Sequence, residues 1–208
     1  MTKTTYLLEY HPGGLVSTPS VHVLDATTGR IYYRLERDAW SPHWSFYDHR
    51  CLDSITGVGV APIQVATARK DDGWFSGLSY RIETGTPRGR VDFARRINGF
   101  VGRPGYHLTP CDSQDWHCSF TNTTSCCAPT EFTIALQVSG THSNSVCTLA
   151  DVTSCCGCFT FAVTLDNNND DRLISQYQMT TILLVGCALV QHDVLQQRSS
   201  SAAAGAAG

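Results

Sequence analysis

The stretch from Asp166 to Arg198, DNNNDDRLISQYQMTTILLVGCALVQHDVLQQR, decides how this chain folds. It is the most apolar part of an otherwise polar sequence. Between about Asp171 and Gln197 there is no proline and one glycine, Gly186. Asn169 or Asp170 can cap a helix start there, and the acids suit the positive end of its dipole. Leu183, Leu184, Val185, Ala188, Leu189 and Val190 then cover every side of the helix. A helix that is apolar all round is buried all round. A bilayer span needs about 20 apolar residues, whereas Met179–Val190 supplies 12. Gln176, Gln178, Gln191, His192 and Asp193 flank that run, without a Lys/Arg cluster or an aromatic belt. No transmembrane segment is therefore expected. The helix belongs inside protein, and the small residues Gly186, Cys187 and Ala188 would let a wall come close.

The preceding sequence offers a container. TYLLEY (5–10) is followed by the turn HPGG. SVHVLDATTGRIYYRLE (20–36) reads as a hairpin around Asp25–Gly29. HWSFYD, PIQVATARK, GLSYRIETG, GRVDFARRI, DWHCSFT, EFTIALQVSG, VCTLADV and CFTFAVTLD continue as short alternating segments. Each is bounded by Gly, Pro, Asp or other turn residues. With no long helical pattern between them, these strands predict an antiparallel sheet that closes or sandwiches. The expected fold is mainly β, a closed antiparallel barrel around a hydrophobic C-terminal helix. A chain of 208 residues with 42% apolar and 16% charged side chains suits one domain, expected over 1–198. The end, SSSAAAGAAG (199–208), reads as a low-complexity disordered tail.

These segments resemble the tubby C-terminal-like superfamily, which includes the LURP-one-related proteins and phospholipid scramblases. VHVLDATTGRIYYRLE followed by HWSFYD looks like their paired early strands. FTFAVTLDNNNDDRLISQYQMTTILLVGCALVQHDV looks like their ending, a strand, an acidic corner and a core helix closing near Asp193. The resemblance implies a barrel threaded by its last helix. It also implies a non-enzymatic domain binding phosphoinositides or anionic lipid at the cytosolic membrane face. A structural or protein-interaction domain without a small ligand, and a scramblase-like membrane-associated protein, are the alternatives. Fold alone does not carry function across.

The residues themselves offer three candidate sites. The first is arginine-rich. Residues 1–103 hold 13 basic and 10 acidic side chains, and residues 104–208 hold 2 and 8. Arg88, Arg90, Arg95 and Arg96 could grip a phosphorylated head group by forked hydrogen bonds. In an extended strand Arg88, Arg90 and Arg96 share one face and Arg95 takes the other. The second is Asp166, Asn168 and Asp170, whose D-x-N-x-D spacing suits calcium. The sixth and twelfth positions of a calcium loop are here Asp171 and Tyr177, where Gly and Glu belong. A solvated turn with a helix cap explains the same residues. The third is cysteine. Cys111, Cys118, Cys126, Cys127, Cys147, Cys155, Cys156 and Cys158 crowd into 48 residues. Plain thiols, metal ligands and redox pairs all remain open, and scramblase-like lipidation would fall on Cys155, Cys156 and Cys158.

Enzyme signatures are scarce. There is no Walker loop, no G-x-S-x-G and no H-E-x-x-H. No enzyme activity and no cofactor are expected. The N-terminus MTKTTYLLEYHPGG has no apolar run of signal length, so a cytoplasmic location is expected, and the resemblance implies a peripheral position at a membrane. The expected partners are an anionic membrane lipid or a protein, and no nucleic acid.

Overall fold

The computed structural model describes residues 3–14, 17–50, 61–71, 78–85, 90–97, 104–124, 128–139, 144–154, 159–166 and 176–206. The strands are β1 (Lys3–His11), β2 (Ser20–Asp25), β3 (Ile31–Arg37), β4 (Trp44–Asp48), β5 (Ile63–Lys70) and β6 (Ser79–Thr84). They continue as β7 (Arg90–Ile97), β8 (Pro104–Pro110), β9 (Trp116–Asn122), β10 (Glu131–Val138), β11 (Asn144–Asp151) and β12 (Phe159–Asp166). Among the described residues one helix follows them, α1 (Gln176–Ala206). Every strand pairs antiparallel with its neighbours in sequence, and β1 closes on β12. The result is an up-and-down barrel, whose even strand number lets first and last strands meet antiparallel. Closure leaves no free edge to aggregate.

The period-2 pattern sets which side chains enter the barrel. Tyr6, Leu8 and Tyr10 point in from β1, Trp44 and Phe46 from β4, and Phe161, Val163 and Leu165 from β12. Asp25 organises the first hairpin. Its Oδ1 accepts the amides of Thr27 (3.0 Å) and Thr28 (2.7 Å), and Gly29 closes the turn at φ 67°. That left-handed value is one glycine adopts without strain. Register shifts at Val23/Leu24, Phe46/Tyr47 and Ile134/Ala135 bend the wall.

An eight-strand barrel is filled by its own side chains, and a wider one leaves a lumen. Here α1 occupies that lumen, and every residue from Thr181 to Asp193 is buried. By length and composition Tyr177–Ala202 could cross a bilayer (mean hydropathy 1.3), yet 83% of its most apolar window lies buried inside the molecule. Gly186 sits where the helix comes closest to β8 and β9. A Cβ there would stand 3.1 Å from Phe120 Cζ and 3.3 Å from Leu108 Cδ1. Gln191, fully buried, donates Nε2–H to the carbonyls of Leu8 and Phe159, each at 3.0 Å. The helix is thus fastened to β1 and β12, the pair that closes the barrel.

Two features differ from the sequence reading. Strand β8 went unread, because Pro104 and Pro110 bracket it and leave only Tyr106 and Leu108 as an alternating signal. The helix also continues through Ser199–Ser201 to Ala206, where a disordered tail was expected. The hydroxyls of Ser199 and Ser200 donate to Gln196 O (2.8 Å each), and Ser201 donates to Gln197 O (2.9 Å). Alanine, the strongest helix former, makes up most of the remainder. The helix cap expected at Asn169 or Asp170 lies outside the described residues.

Leu184 is 0% exposed at the centre of the barrel. Leu184→Asp buries an unpaired carboxylate, and no soluble folded protein is expected from it. The milder Gly186→Leu overpacks the Phe120 and Leu108 contact and should cost about 1–3 kcal/mol in urea unfolding. Parent-like unfolding of both variants would contradict an enclosed helix.

Candidate functional site

The barrel has two mouths, and polar side chains collect at both. At the mouth where α1 begins, Asp48 ends β4 and faces inward, 6% exposed. Arg50 clasps it in a fork, Nε to Oδ1 at 3.1 Å and Nη2 to Oδ2 at 2.8 Å. The Arg50 guanidinium also lies over the rings of Tyr33 (4.5 Å), Tyr177 (5.6 Å) and Tyr32 (5.8 Å). Tyr177 donates its hydroxyl to Asp48 Oδ2 at 3.1 Å, which joins the first turn of α1 to β4. Burial would raise the Asp48 carboxyl, but the Arg50 hydrogen bonds outweigh it and hold the group below the usual carboxylate range.

At the mouth where α1 leaves, the arrangement is larger. Asp193, buried on the helix, accepts the Tyr106 hydroxyl at 2.6 Å and Gln197 Nε2–H at 2.7 Å. Arg95 Nε stands 3.7 Å from the same oxygen, an ion pair longer than a hydrogen bond. Arg95 and Tyr106 face each other across β7 and β8, so both point inward. Burial, reinforced by the bond to Asp193, pushes the Tyr106 phenol well above its ordinary range. One residue earlier on the helix, the His192 ring lies 5.0 Å from Trp44 and 5.8 Å from Tyr10, centroid to centroid. Burial, aided by the Arg37 guanidinium, pushes His192 down to about 4 and keeps it neutral. Beyond this cluster Arg198 reaches Asp151 Oδ2 (2.7 Å) and Thr130 Oγ1 (2.9 Å), fixing the helix exit to β11.

Of the arginines read from sequence, the side chains of Arg90 and Arg95 are described, and they lie on opposite faces of β7. Arg90 lies on the outer face at the start of β7, 3.9 Å from Glu83. Arg95 is inside, with Asp193. Arg88, like the Arg96 side chain, lies outside the described residues. Of the acidic corner only Asp166 is described. It ends β12 with Oδ1 buried and unpartnered, and Asn168 and Asp170 lie outside the described residues. Cys155, Cys156 and Cys158 also lie outside them. Cys118, Cys147 and Cys187 are buried free thiols, and burial pushes Cys118 up to about 12. Among the described residues no group of three or more His, Cys, Asp or Glu side chains could hold a metal. Of the Asp193 cluster only Arg95 was a candidate from sequence, because the β7–β8 pair and α1 that build it lie far apart along the chain.

No protein-family model, curated protein or solved structure matches this chain. The fold, a twelve-strand antiparallel barrel enclosing one helix, is compatible with the tubby-like architecture.

In the unfolded chain His192 titrates at about 6.5, and in the folded protein at about 4. Between those values the unfolded state binds a proton that the folded state excludes. Stability is therefore complete above about pH 6.5 and falls as the pH drops towards 4. His192→Phe should flatten that decline by up to about 3 kcal/mol in urea titrations at pH 7 and pH 4. His22, also pushed down to about 4 by burial and by His11, contributes separately. His192→Phe with an unchanged acid slope would contradict the buried, neutral imidazole.

Proposed function

We propose that this is a non-enzymatic binding domain of the tubby-like kind that docks on an anionic lipid surface. Docking uses the mouth where α1 leaves, at the cytosolic face of a membrane. The observation that carries this reading is Trp40, 97% exposed at the tip of the β3–β4 turn. Asp38 holds that turn together. Its Oδ1 accepts the Trp40 amide at 3.0 Å, and its own amide donates to His43 O at 2.8 Å. An indole held in water by an ordered turn is poised for the head-group layer, where its apolar body and N–H are both satisfied. Arg37 enters the turn, and the exposed Arg69 and Lys70 end the neighbouring β5. Basic groups at this depth attract an anionic leaflet. Occupation of the lumen by α1 favours a surface role over a substrate chamber. It also leaves the scramblase-like alternative with least support, since the segment that would anchor it is largely enclosed. A protein-interaction domain, with Trp40 anchored in a partner's pocket, is the second reading.

Co-sedimentation with vesicles tests the proposal. Phosphatidylcholine containing phosphatidylserine should bring the protein down, and phosphatidylcholine alone should not. Trp40→Ser should weaken recovery roughly tenfold, as expected for one aromatic side chain left in water, with an unchanged melting temperature. Equal recovery on both vesicles, or an unaffected Trp40→Ser, would refute the membrane reading.

A further inference from the structure

Among the described residues three cysteines turn their thiols into the core. Cys118 on β9, Cys147 on β11 and Cys187 on α1 are 0%, 2% and 0% exposed, and all three are free. A buried cysteine usually acts as a small apolar side chain, and for Cys118 that is account enough. Cys147 and Cys187 differ, because their side chains share a hydrogen bond. One belongs to the wall and the other to the enclosed helix.

The barrel geometry sets which pair of thiols can react. Cys147 stands opposite Ile134 on β10 and Leu165 on β12, and both of those side chains are buried in the lumen. On the helix Gly186 lies against Phe120 and Leu108. The next residue, Cys187, is turned by about 100° from that line, and its side chain meets Cys147. Cys118 pairs with Leu136 on the far side of β10 from Cys147. Two strand spacings, about 10 Å, therefore part the two wall cysteines. A disulfide needs Cα atoms within about 7 Å, which excludes a bridge inside the wall. Nor is this a metal site, since among the described residues no three such side chains are arranged to hold one.

The hydrogen bond to Cys187, together with burial, pushes the Cys147 thiol well up and keeps it protonated. A sheltered, protonated thiol is slow to react with reagents in solvent. The oxidant that reaches it has to be small and uncharged, of the hydrogen peroxide class.

We infer that Cys147 and Cys187 form a redox-operated lock that tethers α1 to the barrel wall. In the reduced state the two thiols pack side by side. Hydrogen peroxide oxidises one sulfur to a sulfenic acid and releases one water. The other sulfur attacks it, a second water leaves, and the S–S bond forms. Two S–H bonds and the peroxide O–O bond are broken, and the two electrons lost by the sulfurs reduce the peroxide. The bridge closes a loop of about 40 residues. That loop contains β12, the strand that seals the barrel against β1. One bond thus holds both the helix and the seam, and a thiol reductant releases them. The lock does not depend on the membrane reading.

The test uses the folded full chain, first reduced and then treated with hydrogen peroxide under native conditions. Remaining thiols are alkylated before digestion. Trypsin leaves Cys187 as the sole cysteine of peptide 173–198, and chymotrypsin isolates Cys147 in 137–149. Mass spectrometry should find these two peptides joined. The melting temperature should rise by roughly 10 °C on bridging and return with dithiothreitol. Exposed Cys111 reports that the peroxide has acted. Cys187→Ala should lose both the joined peptides and the rise, and Cys118→Ala should respond like the parent. Mapping the parent needs no variant, so it decides the matter even if Cys187→Ala folds poorly. The inference is overturned if Cys111 oxidises while Cys147 and Cys187 stay free, if Cys187 is joined to another cysteine, or if the bridged protein melts no higher than the reduced one.

Discussion

The structure depends on filling a lumen. A sheet of twelve strands closed on itself encloses more space than inward side chains can occupy. An empty apolar lumen would forfeit the packing that stabilises every wall residue. The last segment of the chain supplies the missing volume as α1, and the two parts specify each other. The wall needs an apolar rod, and the rod, apolar on all sides, needs a wall on all sides. Gly186 marks how closely they fit, since the helix backbone lies almost against Phe120 and Leu108. The wall strands therefore lean on α1 for their packing, and the core is complete only with that helix in place.

Apolar packing alone does not set the depth or rotation of a rod in a tube. The polar groups do. Tyr177 and Arg50 meet on Asp48 at one mouth. Asp193 gathers Tyr106, Gln197 and Arg95 at the other, and Gln191 and Arg198 hold the helix to the closing strands and to β11. A slip of one residue would carry Asp193 away from Arg95 and leave the Tyr106 hydroxyl without its acceptor. Buried polar contacts of this kind serve register more than net stability.

Much of this was legible in the sequence, because periodicity reports burial. Alternating segments with turn residues between them gave eleven of the strands, and Met179–Val190 gave the helix. The parity of β7 also placed Arg95 opposite Arg90. Sequence could not say what Arg95 meets there. Asp193 is distant in the chain, and antiparallel register, which sets the pairing of Arg95 with Tyr106, is a property of the whole barrel. Strand β8 was lost for the same reason: two prolines obscured a short element whose main evidence is its neighbours on both sides. Of the arginines read from the sequence, strand parity parts the two whose side chains are described, Arg90 outside with Glu83 and Arg95 inside with Asp193. Trp40 and the hairpin base beneath it are visible only once the turn residues 38–43 are seen to leave one tryptophan outside and to turn another, Trp44, inside.

The enclosed helix is the claim on which the barrel, both mouths and the proposed binding hairpin rest. Nuclear Overhauser contacts in aqueous solution without lipid test it most directly. The account predicts cross-peaks from the Gly186 α protons to the Phe120 ring and the Leu108 methyls, because a Cβ at Gly186 would lie 3.1 and 3.3 Å from those side chains. Assigned, sharp signals for all three residues with no such cross-peaks would place α1 outside the barrel and contradict the account.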